Sequence, residues 1–392
     1  MEHRKKAKTD DYGKRTQSLP TDLITEILLR LPEKSVARFS CVSKLWSSIT
    51  TDPSFISSFE TRSSRQRLLL CLQKGGELFV SSIPQHTQNS NMSYSSSLSF
   101  DHHHMTKFKA SSSSTESVHG LICFESENPI VWNPSTRQFV TLPTIPKPCK
   151  SWKETILFLG YDPIEGKHKV VCIPDGKTCY VCRVYTLGSV QESWRTVKIN
   201  HKHRSSWDTV GRCINGVIYY LTFPCQGDDY IVMSFDVRSE KFNMIKLPSG
   251  FCGHFLVTYK GRLACFNRYD HSRFWILEDA QKHKWSSQDI LSPFGDCGME
   301  TDFNLTGFTH AGEFIYVPNT FRHLFYTLLY DPVRNSWRRF EFKEMAGDKS
   351  VSNGLCIKHE LHTREYDDYS FSCNNQILLV TYLIFESNMI SI

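Results

Sequence analysis

Four stretches of the sequence share one layout, and that layout restricts what the chain can fold into. In Asn133-Pro134-Ser135-Thr136-Arg137-Gln138-Phe139, Asp236-Val237-Arg238-Ser239-Glu240-Lys241-Phe242, Asp279-Ala280-Gln281-Lys282-His283-Lys284-Trp285 and Asp331-Pro332-Val333-Arg334-Asn335-Ser336-Trp337, an apolar run ends in Asp or Asn. A turn follows, and an aromatic residue returns six positions later. Asp162-Pro163 repeats the turn alone. A short acidic or amide side chain caps such a turn, and Pro fixes the next φ. The aromatic anchors the returning strand. A second signal lies upstream: His119-Gly120, Asn215-Gly216, Lys260-Gly261 and Ala311-Gly312 each open a strand-prone run. Gly216 to Gly261 is 45 positions and Gly261 to Gly312 is 51. That is the period of a four-stranded, kelch-type propeller blade. The aromatic content of 13% suits such a chain, because flat rings pack on pleated surfaces.

The repeat occupies 61–342, room for roughly six blades. Leu68 to Leu72 and Leu78 to Ile83 flank Lys74-Gly75-Gly76-Glu77 as a first hairpin. Residues 86–117 are Ser-rich, include His102-His103-His104, and read as a flexible surface loop. The regular phase of Phe139, Phe242, Trp285 and Trp337 places them in the core. Arg137, Arg238, Lys241, Lys282, Lys284 and Arg334 read as a solvated rim, with recognition expected on the loops. Residues 343–392 break the pattern. Within them Ile377 to Phe385 either completes the first blade and closes the ring or is an exposed, aggregation-prone tail.

A different period governs 18–60. Leu23, Ile24, Ile27, Leu28 and Leu31 recur at helical spacing. Pro20 stands near the first helical position, Asp22 and Glu26 near the positive end of the dipole, and Pro32 ends the helix. Ser35 is expected to cap a second helix carrying Val36, Ala37 and Phe39. Ser43 is expected to cap a third carrying Leu45, Trp46 and Ile49. Asp52-Pro53 restarts a turn with Phe55, Ile56 and Phe59. So small a bundle displays more apolar surface than it can bury, which reads as a docking face. Residues 1–17 are a basic, disordered tail.

Composition narrows the function. With 392 residues the chain exceeds one compact core. Lys and Arg number 46 against 40 acidic residues, a net +6. Half of that excess sits in the first fifteen residues, so a basic nucleic-acid-binding body is not expected. No apolar run is long enough to span a membrane, and no secretory signal is visible. The 14 cysteines are then expected to be free thiols in the nucleus or cytosol. Cys179-Tyr180-Val181-Cys182 lacks the second pair a zinc site wants. No phosphate loop, nucleophile elbow or HExxH motif appears. The reading is therefore no catalytic residue, no metal and no cofactor.

The run Ser18-Leu19-Pro20-Thr21-Asp22-Leu23-Ile24-Thr25-Glu26-Ile27-Leu28-Leu29-Arg30-Leu31-Pro32 and its ending Cys41-Val42-Ser43-Lys44-Leu45-Trp46 resemble an F-box. Val118 to Cys123, Trp132 to Arg137, Leu159 to Pro163, Asn215-Gly216-Val217 and Phe235 to Phe242 resemble the type 3 F-box-associated domain of a large plant family. The resemblance covers about 18–342, and after 342 no likeness is visible. It implies a multi-domain chain: a small all-α F-box bundle, then an all-β propeller-like domain. It also implies a non-catalytic subunit of an SCF-type ubiquitin ligase. The F-box would dock a Skp-type adaptor, and through it cullin and RING subunits. The β domain would recruit a protein substrate. The positions matching the family's adaptor-facing and core residues are Leu19, Pro20, Leu23, Ile27, Leu28, Leu31, Pro32, Val36, Val42 and Trp46. Two other readings stand beside it: a propeller enzyme or small-molecule sensor with an F-box attached, and a degenerate member without a substrate.

Overall fold

The structure, a computed structural model, describes residues 19–341 with breaks, the longer ones at 60–66, 85–100, 106–114, 291–302 and 319–325. Beyond 341 it describes only 357–359 and 377–384. The tail at 1–17, Pro32, most of 86–117 and most of 343–392 lie outside the described residues. The chain divides into two units, Met1–Arg62 and Ser63–Ile392.

In the first unit Pro20 is the N-cap of α1 (Thr21–Leu29), its carbonyl accepting from the Leu23 and Ile24 amides. Helix α2 (Glu33–Phe39) begins two residues ahead of Ser35, so Ser35 lies inside the helix and does not cap it. An acidic first residue favours the earlier start. Ser43 does cap α3 (Lys44–Thr50), accepting from the Trp46 amide at 3.2 Å. Asp52 Oδ1 accepts from the Ser54 and Phe55 amides. That turn holds Phe55 and Phe59, both buried, with rings 5.8 Å apart.

The second unit is all strands. The hairpin β1 (Arg67–Lys74) and β2 (Glu77–Pro84) is extended by β3 (Asp101–Met105). His102, His103 and His104 therefore lie in a strand, opposite Ser81, Val80 and Phe79, and not in a loop. The ladder offered by β2 recruits a polar run with no alternation of its own. A three-stranded sheet follows: β4 (Ile122–Phe124), β5 (Ile130–Asn133) and β6 (Gln138–Thr141). Next come β7 (Thr155–Asp162), β8 (Lys167–Pro174), β9 (Thr178–Thr186) and β10 (Arg195–Ser205). After them come β11 (Arg212–Ile214), β12 (Val217–Pro224), β13 (Ile231–Asp236) and β14 (Phe242–Lys246). The end of β10 pairs with β12 and joins these two groups into one eight-stranded sheet.

Two four-stranded sheets complete the series. One holds β15 (His254–Tyr259), β16 (Arg262–Asn267), β17 (Arg273–Asp279) and β18 (Lys284–Asp289). The other holds β19 (Phe303–Phe308), β20 (Phe314–Pro318), β21 (Tyr326–Asp331) and β22 (Ser336–Glu341). The short β23 (Ile357–His359) runs parallel to β24 (Ile377–Ile384). β24 pairs antiparallel with β1, Val380 opposite Cys71. The apolar run near the C-terminus thus completes the first sheet. Counting the eight-stranded sheet as two groups, the array has six, and it is propeller-like.

The repeated turns explain themselves in atoms. Oδ1 of Asp162, Asp236, Asp279 and Asp331 accepts one or two amides two or three residues on. Four residues after each Asp the backbone turns left-handed, at Gly166, Glu240, His283 and Asn335 (φ between 48° and 66°). The upstream hairpins carry two consecutive positive φ values: 45° and 77° at His119-Gly120, 49° and 79° at Asn215-Gly216, 47° and 73° at Lys260-Gly261. Such a tight turn needs Gly at the second position.

The core lies between successive groups. Leu121, Val131, Leu159 and Val170 form one cluster across β4–β9. Phe158, Val184, Tyr220 and Phe235 form the next across β7–β14. Val232, Ile245, Leu256 and Leu263 bridge to β15 and β16. Tyr259, Phe274, Phe308 and Phe314 bridge to β19 and β20. From β4 to β22 neighbouring groups bury apolar faces on one another, as a repeat array does. Of the phase aromatics, Phe242 is fully buried, and Trp285 and Trp337 are half-buried. Phe139 is 53% exposed and leaves the expected core, because the three-stranded sheet presents β6 to solvent.

Candidate functional site

Helix α1 divides its apolar residues between two stripes. Ile24 and Leu28, one turn apart, are 6% and 0% exposed. Leu23 and Ile27, rotated by one residue, are 52% and 46% exposed, and Leu19, one turn earlier, is 55% exposed. Residues four apart share a helix face, so Leu23 and Ile27 form one open stripe, and Leu19, ahead of the Pro20 cap, is exposed beyond its start. Val42 and Leu45 flank the Ser43 cap and are exposed as well. Five of the ten exposed large apolar side chains among the described residues thus fall between residues 19 and 45. Exposed apolar side chains are thus concentrated in this short segment.

The predicted docking residues separate accordingly. Leu19, Leu23, Ile27 and Val42 are on the surface, and Pro20 is exposed beside them. Leu28 and Val36, both 0% exposed, take the core part of that set. Leu31 and Trp46 are half-buried, Trp46 packing its ring 5.1 Å from Phe39. Leu45 was not among the predicted contacts. The Ser43 cap places it in the first turn of α3, where it is 45% exposed although Ile49, one turn on, is buried. At the margin of the stripe Glu26 and Arg30 pair at 3.0 Å, an exposed i,i+4 bridge contributing a few tenths of a kcal/mol.

The buried polar groups of the β domain hold sheets together. Lys169 Nζ donates to Val237 O at 2.6 Å and to Glu240 at 2.8 Å, and Arg195 also bonds Glu240. Burial opposes ionisation of Glu240, but the bonds from Arg195 and Lys169 outweigh it and lower its pKa. Glu116 binds Arg212 and accepts from the Cys213 amide. His203 Nε2 meets the Tyr220 hydroxyl at 2.8 Å. The seven described cysteines are free thiols. Burial pushes Cys213 up to about 12, and Cys123, Cys172 and Cys265 upward too, so none of these four is a ready thiolate. Cys182 is buried on β9, and the Cys179 side chain lies outside the described residues. Among the described residues no three His, Cys, Asp or Glu side chains gather to hold a metal.

Comparison with known proteins follows the same division. Residues 17–58 match the F-box domain, and residues 67–371 match the F-box associated beta propeller domain. The chain belongs to the plant F-box proteins with a type 3 associated propeller domain. The family match runs to residue 371, which corrects the expectation of no likeness after 342. From Arabidopsis thaliana, "Putative F-box protein At1g47765" is 53% identical over 371 residues, covering 90% of this chain and 94% of the relative. "F-box protein At1g48060" is 41% identical over 354 residues, covering 86% of this chain and 87% of the relative. Among solved structures, the β-propeller domain of Cps50 (Swd1) aligns at 14% identity with a TM-score of 0.29, over 55% of this chain and 63% of that one. In this F-box protein the exposed stripe lies within the F-box and the repeated turns within the associated domain.

Proposed function

We propose that this F-box protein is a non-catalytic substrate-recognition subunit of an SCF-type ubiquitin ligase, working in the nucleus or cytosol. Its F-box docks a Skp-type adaptor, and through it cullin and RING subunits. Its propeller-like domain recruits a protein target. The observation that carries this reading is the exposed set Leu19, Leu23, Ile27, Val42 and Leu45 beside the buried set Ile24, Leu28, Val36 and Ile49. Each large apolar side chain gains about 1.5–3 kcal/mol when fully covered, so a partner's apolar groove has much to recover here. The role of the chain is proximity: holding a target lysine near a loaded ubiquitin carrier raises its effective concentration without chemistry from this chain.

The test is co-purification of the full chain with a Skp-type adaptor. Ile27→Asp with Val42→Asp places two charges on the open surface and is expected to weaken adaptor binding at least about a hundredfold. The circular dichroism of the β domain should not change. Ile27 and Val42 are better targets than Pro20, whose carbonyl also caps α1. If the double variant binds the adaptor as tightly as the natural chain, the docking face lies elsewhere.

A further inference from the structure

Neither the docking face nor the repeated turns absorb one motif of the sequence, His102-His103-His104. A histidine tract in a coil binds metal through any two of its rings, with none held in place. The fold changes that. β3 pairs antiparallel with β2, Asp101 opposite Ser82 and Met105 opposite Leu78. All three histidines therefore lie in extended, laddered backbone. Successive positions of a strand take opposite faces. Positions 102 and 104 fall on the face of Ser81 and Phe79. Position 103 falls on the other face, with Asp101 and Met105. Two steps along a strand rise about 7 Å. Two imidazoles rooted that far apart on one face can ligate a single ion through nitrogens at about 2.0–2.1 Å. The residue between them, on the opposite face, cannot join.

The place of β3 in its sheet favours such a chelate. The strand order is β23-β24-β1-β2-β3, so β3 is outermost. Its ladder to β2 fixes one side, and among the described residues no strand pairs with the other. The ladder holds the backbone of both histidines in one conformation before any ion arrives, which spares the ordering cost a coil would meet. Water can complete the shell that two protein nitrogens leave unfilled.

The donor set selects the ion. Magnesium and calcium take oxygen ligands. Copper(I) and iron–sulfur clusters take thiolates. Imidazole suits borderline divalent ions such as zinc and nickel. Asp101 and His103 form a mixed oxygen–nitrogen pair at the same spacing on the other face, a poorer match for those ions than two imidazoles.

We propose that His102 and His104 together chelate one borderline divalent transition-metal ion, of the zinc and nickel class, on the outermost strand of the first sheet. This goes beyond the ligase reading and does not depend on it.

The test uses the full chain without an affinity tag, titrated by calorimetry with zinc and with nickel, and with magnesium as the control. His102→Ala with His104→Ala sets the background from the remaining histidines and thiols. The natural chain should bind zinc and nickel above that background, and should not bind magnesium. His102→Ala and His104→Ala should each weaken binding at least about tenfold, because a lost ligand costs no less than a lost supporting group. His103→Ala should bind as the natural chain does. That contrast separates a strand from a coil, in which losing any one of the three rings costs the same. Level melting points show that the variants keep the fold, and His102→Asn or His104→Asn replaces an alanine variant that melts lower. A loss in His103→Ala, full binding in either His102→Ala or His104→Ala, magnesium binding equal to zinc, or no binding above the double variant overturns the proposal.

Discussion

His168 is a base kept where it cannot carry charge. It is 2% exposed, and its Nε2 lies 3.0 Å from the Val118 carbonyl, so the neutral ring donates there. Burial pushes its pKa down to about 3. The unfolded chain, with an ordinary histidine near 6.5, binds the proton first. Stability from this residue is therefore complete above about pH 6.5 and is lost as pH falls from there towards 3, by up to about 1.4 kcal/mol per unit. His203, buried against Tyr220, shifts in the same direction. Thermal melts of the full chain between about pH 7.5 and pH 4.5 should show the midpoint falling, and His168→Gln should flatten that slope. A natural chain whose melting point is level across the range contradicts the assignment.

At the scale of elements, Gly160 shows how closely the sheets meet. A Cβ there would lie 2.6 Å from Val237 Cγ2 and 2.8 Å from Ile218 Cδ1, side chains of the next group of strands. Gly160→Ala is expected to cost about 1–3 kcal/mol. Gly307→Ala, with nothing among the described residues within 4 Å of the added carbon, is the control and should stay within about 0.5 kcal/mol. Equal urea midpoints for the two variants would contradict the packing described. The turns were legible in the sequence because their chemistry is local: Asp236, Asp279 and Asp331 each cap amides two or three residues away. The fuller kinship of the Asp162 turn was missed, although Gly166 holds the left-handed position and His168 takes the aromatic's place six residues on. The strand at His102–His104 was illegible because its partner, β2, supplies the order. In the F-box the 3–4 spacing located the apolar residues but not which stripe faced inward. Which stripe is covered is a tertiary fact: Ile24 and Leu28 are buried, Leu23 and Ile27 are not.

For the whole molecule the decisive contact is β24 on β1. Removing residues 377–392 strips β1 of one neighbour along its length and leaves an open edge. The truncated chain is expected to melt at a lower temperature and to aggregate with rising concentration, measured by calorimetry and light scattering. Binding through the F-box should persist. Identical melting of the truncated and full chains would show that β24 is not part of the first sheet. The pairing also joins residues more than 300 positions apart, and translation delivers them in order. The three helices at 21–50 leave the ribosome well before the strand that completes the first sheet. On the ligase reading, a message that stops early yields a chain that still occupies the shared machinery but has no finished receptor. Such a product would act as a competitor of its own full-length form.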